Sequence, residues 1–278
     1  MKSLDRRWIF LSIGLVVFVF LRVPFKVRYS PTPSTTGYYE ALKSLPTGSI
    51  VFLGIDYGPD SQAELRPMHE ATVYQLLKHG VRVIAASVWE TGPPLTDAVF
   101  DQVAEELARE GITKTYGVDY VNLGYKAGQD VAIAKLGTSI PETFPADSRG
   151  TRLAELPILR GVRNFDQIVM LCDIGAGVPG PRQYLQQIQL RYKVRMLAGA
   201  TAVSSPDLYA FFQSRQLEGF LGGLVGAAEY EYLLDRPGRA MAGMNVQSLA
   251  HFLIIGFVVV GNILYYLERR RRKGGPAR

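Results

Sequence analysis

Cysteine is almost missing from this chain. There is one in 278 residues, Cys172, so an internal disulfide is excluded. It sits in the apolar run IVMLC, where a thiol behaves as a small buried hydrophobe. A central body of about 215 residues is long enough to close a full core without such a staple. Histidine is also scarce, with three residues: His69, His79 and His251. His69 stands in PMHEA, which lacks the second histidine of H-E-x-x-H, so a zincin is excluded. No G-x-S-x-G occurs, which removes the usual hydrolase elbow, and no Walker P-loop or internal repeat is present.

What is abundant is apolar length at both ends, with basic charge beside it. The first stretch runs from Trp8 to Leu21, and to Val27 if Arg22 and Lys26 snorkel. The second runs from Leu249 to Leu267 and is followed at once by Arg269–Lys273. Residues 1–30 and 249–278 each hold six Lys+Arg against one acid, a net of +5 at each end, which leaves the body at −4 of the total +6. The pI near 9.3 therefore reflects membrane flanks and does not signal a nucleic-acid partner. About 20 apolar residues in helical form span a bilayer, and the second stretch has that length, with Tyr265 and Tyr266 at one edge as an aromatic belt. The first resembles a signal sequence, yet RVPFKVRYSP follows it where a small-residue cleavage site should be, so it reads as an uncleaved anchor.

Six basic residues follow the second span and two, Arg236 and Arg239, lie in the twenty before it. The positive-inside rule then puts the C-terminus in the cytoplasm, and two spans put the N-terminus there too. The expectation is a two-pass protein of a plasma or inner membrane whose main domain is extracytoplasmic. Its segments are an N-terminal stub and anchor (1–28), a Pro/Ser/Thr-rich spacer (29–37), an α/β domain (38–245), a membrane helix (246–268) and a basic tail (269–278).

Within the body, apolar runs alternate with amphipathic segments. GSIVFLGID, VRVIAASVW, VDYVNLGY, QIVMLCDI and VRMLAGATAV read as strands. Helices are expected from near Pro67 to His79 with Gly80 as stop, after Thr96 to Gly111, around 130–136, over 181–193 and from Pro206. Residues 137–165 show no period, and so long a connection suggests function, such as a lid. The pattern predicts a three-layer α/β sandwich with a mostly parallel, roughly five-stranded sheet, Rossmann- or flavodoxin-like, flanked by two transmembrane helices.

Ligands of open parallel sheets sit beyond the carboxyl ends of the strands, where the winding reverses. Strand one ends in Asp56-Tyr57, strand two in Trp89-Glu90 and strand four in Asp173, so three carboxylates reach one rim, with Asp56 and Asp173 the favoured pair. Such groups suit a hard cation, acid–base work or a hydrogen-bonded ligand, although acids at strand ends also serve as turn formers and caps. No motif demands a cofactor; a divalent cation at these carboxylates is the one the pattern admits. Gly175, Gly177 and Gly180 match G-x-G-x-x-G, but after the fourth strand, with no acid ending the next one, so a tight turn or a generic ligand contact fits better than a dinucleotide site. In GFLGGLVGAAEYEYLL, Gly222 and Gly226 have the spacing of close helix contact, with Glu229 and Glu231 following. The stretch reads either as an interface with itself or with other membrane proteins, or as a glycine-rich bend. Beside the bilayer, the expected partners are such proteins and not nucleic acid. The favoured function is an extracytoplasmic domain that binds a ligand or partner or scaffolds a membrane assembly. The competing one is a membrane-tethered, carboxylate- or metal-dependent hydrolase or transferase acting on envelope material.

Overall fold

The computed structural model describes residues 10–15, 18 and 29–273. It divides into two units, a body of Tyr29–Met241 and the flanking segments Met1–Arg28 and Ala242–Arg278.

The body is built on six strands: β1 Ile50–Asp56, β2 Arg82–Ser87, β3 Tyr120–Tyr125, β4 Met170–Gly175, β5 Arg195–Ala200 and β6 Gly219–Gly222. Every pairing is parallel, in the order β3-β2-β1-β4-β5-β6. That is the doubly wound Rossmann order, with the winding reversing between β1 and β4; the flavodoxin alternative is corrected. Five strands were expected and six are found. The sixth is short and glycine-bearing, so it carries no strand signature of its own and forms because β5 templates it, Leu197 pairing with Gly219 and Ala200 with Gly222.

β1 is buried at all seven positions, which explains its unbroken apolar run: a central strand has helices on both faces. One face carries Phe52, Leu171, Met196 and Ala198 into the main core. On the other side lie the helices α1 Pro33–Lys43, α2 Gln62–Lys78, α3 Gly92–Arg109 and, later in the chain, the helix Gly223–Leu233. Cys172 is fully buried there; Tyr38 Oη lies 2.8 Å from its Sγ, and burial pushes the thiol up to about 12. Gly80 and Gly111 end α2 and α3 in the left-handed region, at φ of 76° and 82°, as helix stops require.

Several boundaries differ from expectation. α2 begins before Pro67, which lies inside it; the proline gives up one amide, and its ring is buried in exchange. α3 starts at Gly92, so Thr96 is not its cap and its hydroxyl bonds back to Gly92 O at 3.0 Å. Residues 29–37 are no spacer: Thr32 caps α1, Pro33 takes its first turn, and Ser34 and Thr35 are buried. Residues 137–165 are no lid. After α4 Gln129–Thr138 and α5 Ile140–Thr143, short 3-10 turns press Leu153, Leu156, Ile158 and Phe165 into the core. The chain continues through α6 Pro181–Tyr184, a π-turn Leu185–Gln189, α7 Leu190–Tyr192, α8 Pro206–Gln213 and α9 Gly223–Leu233.

The last helix, α10, spans Arg239–Lys273. Over Arg239–Leu267 it is long and apolar enough to cross a membrane, the one such helix among the described residues. Of the first apolar stretch, residues 10–15 and 18 are helical, and the remainder lies outside the described residues. The body's own ends meet, with Tyr29 Oη donating to Met241 O at 3.5 Å.

Candidate functional site

Parallel register pairs Gly54 with Asp173 and Asp56 with Gly175. Paired residues on adjacent strands point the same way, so the four make a square with carboxylates on one diagonal and glycines on the other. The glycines give the carboxylates their room. A Cβ on Gly54 would run into Asp173 Oδ1 and lie 3.1 Å from Tyr184 Cζ; one on Gly175 would lie 3.2 Å from Asp173 Oδ2. Tyr184, on the first turn after the β4 loop, roofs the square from the core side. Asp56, Asp173 and Tyr184 are all fully buried.

Asp56 Oδ1 accepts from Ser87 Oγ at 3.1 Å and from the Val88 amide at 2.8 Å. Asp56 Oδ2, both Asp173 oxygens and the Tyr184 hydroxyl are buried without a hydrogen-bond partner, close enough to shift one another's proton affinity. Two adjacent buried carboxylates cannot both ionise, and one shared proton supplies the missing donor. Burial raises Asp56 to about 6, against the pull of the Val88 amide, Asp173, Ser87 and Tyr184. Burial and then the Asp56 charge raise Asp173 well above the carboxylate range. Burial, with both carboxylates, likewise raises Tyr184. Both carboxyls are thus pushed toward their protonated forms, Asp173 further than Asp56.

Above this square the loops after β2, β3 and β4 enclose a cleft of about 340 Å³. Trp89, Glu90, Thr91, Tyr125, Gln129 and Val178 line it. Trp89 is held in place by its Nε1–H, which donates to Pro179 O at 2.8 Å. Val88, whose amide binds Asp56, also lines it, so a single residue separates the cleft from the carboxylates. A second concavity of about 270 Å³, lined among others by Tyr39, Lys78 and His79, opens at the far end of α2, on the opposite rim of the sheet.

Of the residues singled out from sequence, Asp56, Asp173 and Gly175 come together. Tyr57 does not join them; it is buried with its hydroxyl 3.1 Å from His69 Nδ1. Burial lowers that imidazole to about 3. Glu90 lies three residues past the end of β2, exposed at the cleft, so the expected three-carboxylate cluster is corrected to a buried pair and a separate surface acid. Gly177 packs under Trp89, whose Cζ2 would lie 3.8 Å from a Cβ there. The glycine loop is a tight turn with a cis Val178–Pro179 bond. Two of its amides are used internally: Ala176 N bonds Asp56 O at 2.9 Å, and Gly180 N bonds Gln183 Oε1 at 3.0 Å. For the cation that the sequence admits, no three His, Cys, Asp or Glu side chains gather in a metal-holding group among the described residues.

The helix contact expected of Gly222 and Gly226 is also corrected. Gly222 ends β6, while Gly226 lies on α9, where a Cβ would be 3.0 Å from the Leu221 carbonyl carbon. The spacing thus straddles a strand-to-helix turn inside the body. Glu229 accepts from Thr32 N at 3.0 Å and Thr32 Oγ1 at 2.8 Å. Glu231 accepts from the amides of Gly238, Ala240 and Met241 at 3.1, 3.1 and 2.8 Å. Both acids secure helix starts, and neither reaches the carboxyl rim. Sequence reasoning missed Tyr184, Ser87 and Tyr125. Tyr184 had one available signal, its place three residues after Pro181, where the first helical turn faces the sheet.

No protein-family model matches the chain, and no curated protein matches it. Two solved structures are similar to it: the crystal structure of AibC, at 12% identity over 82% of this chain and 55% of that one with a TM-score of 0.31, and the trehalose-6-phosphate synthase OtsA, at 11% identity over 90% and 49% with a TM-score of 0.27. The chain spans about half the length of each. At such TM-scores these likenesses bear on neither fold nor function.

Proposed function

We propose that this is a two-pass membrane protein whose extracytoplasmic Rossmann-like body binds a small ligand in the cleft over the β1/β4 switch point. The observation that supports the reading is the position of that cleft. It lies at the carboxyl rim of the sheet, where the loops after β2, β3 and β4 contribute its walls, as strand-end loops do in ligand sites of this architecture. The buried Asp56–Asp173 pair lies behind Val88, whose amide binds Asp56. With both carboxylates and Tyr184 fully buried, a ligand in the cleft touches the loops and not the pair. The pair therefore positions the Val88–Trp89 backbone instead of reacting, which favours binding over the hydrolase reading. Tyr29 touches Met241, so the two ends of the body lie together, as a domain anchored at both ends allows.

Reporter fusions at residue 150 and at the C-terminus test the topology, with an external signal expected at 150 and a cytoplasmic one at the end. Calorimetric titration of the detergent-solubilised chain with cationic, neutral and anionic small molecules tests the cleft. Saturable binding that is lost in Trp89→Ala is expected. Binding that survives that change would place the ligand elsewhere.

A further inference from the structure

The carboxyl rim of a Rossmann sheet ordinarily offers anions a set of free helix N-terminal amides. Here prolines remove some of these amides at two of the three helix starts around the cleft. At α3, the Gly92 amide bonds Trp89 O at 3.0 Å, and the next two residues, Pro93 and Pro94, have no N–H. At α6, the Gly180 amide is held by Gln183, and Pro181 follows. At α4, the Val131 and Ala132 amides make the helix's own first bonds to Gly128 O, at 3.0 and 3.3 Å, and Asp130 places a carboxylate in that first turn.

The side chains have the same bias. The lining contains no Lys, Arg or His, and its one formal charge is Glu90. Trp89 has spent its only side-chain hydrogen-bond donor on Pro179 O, so what it presents to the cleft is its ring. Tyr125, 43% exposed, adds a second aromatic surface. Behind Val88 the buried Asp56–Asp173 pair has no side-chain cation among its contacts, which are Ser87, the Val88 amide and Tyr184.

A cavity without cationic side chains, walled by aromatic rings and bordered by carboxylate charge disfavours phosphates and attracts organic cations. We propose that the cleft binds an organic ammonium group, primary or quaternary, between Trp89 and Tyr125 with Glu90 as its counter-charge. The inference rests on the reading that the cleft is the ligand site, and it names the ligand class.

Choline serves as the probe, with its uncharged isostere 3,3-dimethylbutan-1-ol, glucose and inorganic phosphate as controls. The full chain in detergent is titrated by calorimetry and by tryptophan fluorescence in a Trp8→Phe background, which leaves Trp89 as the sole reporter. Saturable choline binding is expected, weakened roughly ten-fold by Glu90→Gln, the size of a partly desolvated ion contact, and weakened again by Tyr125→Leu. Both substituted positions are exposed, and a circular dichroism melt confirms that the variants fold. Equal binding of the uncharged isostere, or choline affinity unchanged in both variants, overturns the ammonium assignment. Saturation by glucose or phosphate and not by choline overturns it too, while leaving the cleft as a site. Heat and fluorescence silent to all four probes overturn the ammonium assignment and count against the cleft.

Discussion

Burial, and then the neighbouring Asp56, raise the Asp173 carboxyl, and that has a signed consequence for pH. Asp56 is raised from 3.8 to about 6 and Asp173 further. Between the unfolded and folded values the native state holds more protons than the unfolded chain. Its stability from these groups is thus full below about 4 and falls as pH rises through 6 and beyond. For Asp56 alone the swing is on the order of 3 kcal/mol. Asp173→Asn supplies a permanent donor to Asp56 without a titrating proton. We expect it to raise the melting temperature above pH 7 relative to wild type and to flatten the difference near pH 4, as read from paired thermal melts. A variant less stable than wild type at pH 8 would show that the pair does not share a proton. Removing the roof is predicted to do the opposite: Tyr184→Phe leaves the carboxylates with one fewer donor, at a cost of about 1 kcal/mol at neutral pH.

Glycine 226 and glutamate 231 act on whole elements. A side chain at Gly226 would press on the Leu221 backbone, so Gly226→Leu should push α9 off β6 at a cost of about 1–3 kcal/mol in body stability. Oligomer size in detergent should not change; a fall in oligomer size with an unchanged melt would reverse the assignment. Glu231 gathers three amides at the start of α10, and Glu231→Ala should cost about 1–3 kcal/mol for the acceptors it strips, with Glu231→Gln recovering part. Elements of this kind mark where sequence reading succeeds. Strands β1 and β4 were legible because burial on both faces writes an unbroken apolar run, and their terminal acids pointed to the switch point. β6 was not, since GFLG is four residues with two glycines and borrows its conformation from β5. The helix start at Pro67 was misplaced because tertiary burial outweighed one lost amide bond. The 137–165 cover was illegible because each of its short turns contributes one or two apolar side chains, too few to form a period. At the site, Asp56 and Asp173 were readable as a pair, whereas a helical tyrosine such as Tyr184 looks like any core aromatic, and Glu90 was displaced by the turn that follows β2.

At the scale of the molecule, the body from Tyr29 to Met241 is one compact unit with a continuous core. Expressed as residues 29–241, it is expected to fold without either flank and to unfold in a single transition seen alike by near- and far-ultraviolet circular dichroism. Non-coincident transitions would mean that the flanks hold it together. Its sheet order was beyond the sequence, because strand pairing is decided by contacts between segments far apart in the chain. The touch between Tyr29 and Met241 reaches further than anchoring. A chain whose ends coincide can be closed into a ring by a short glycine–serine link and cut open elsewhere without breaking a strand pairing. The exposed turn at residues 148–150 is a place for the cut, and such a circular permutant should keep the same sheet, the same buried pair and the same cleft.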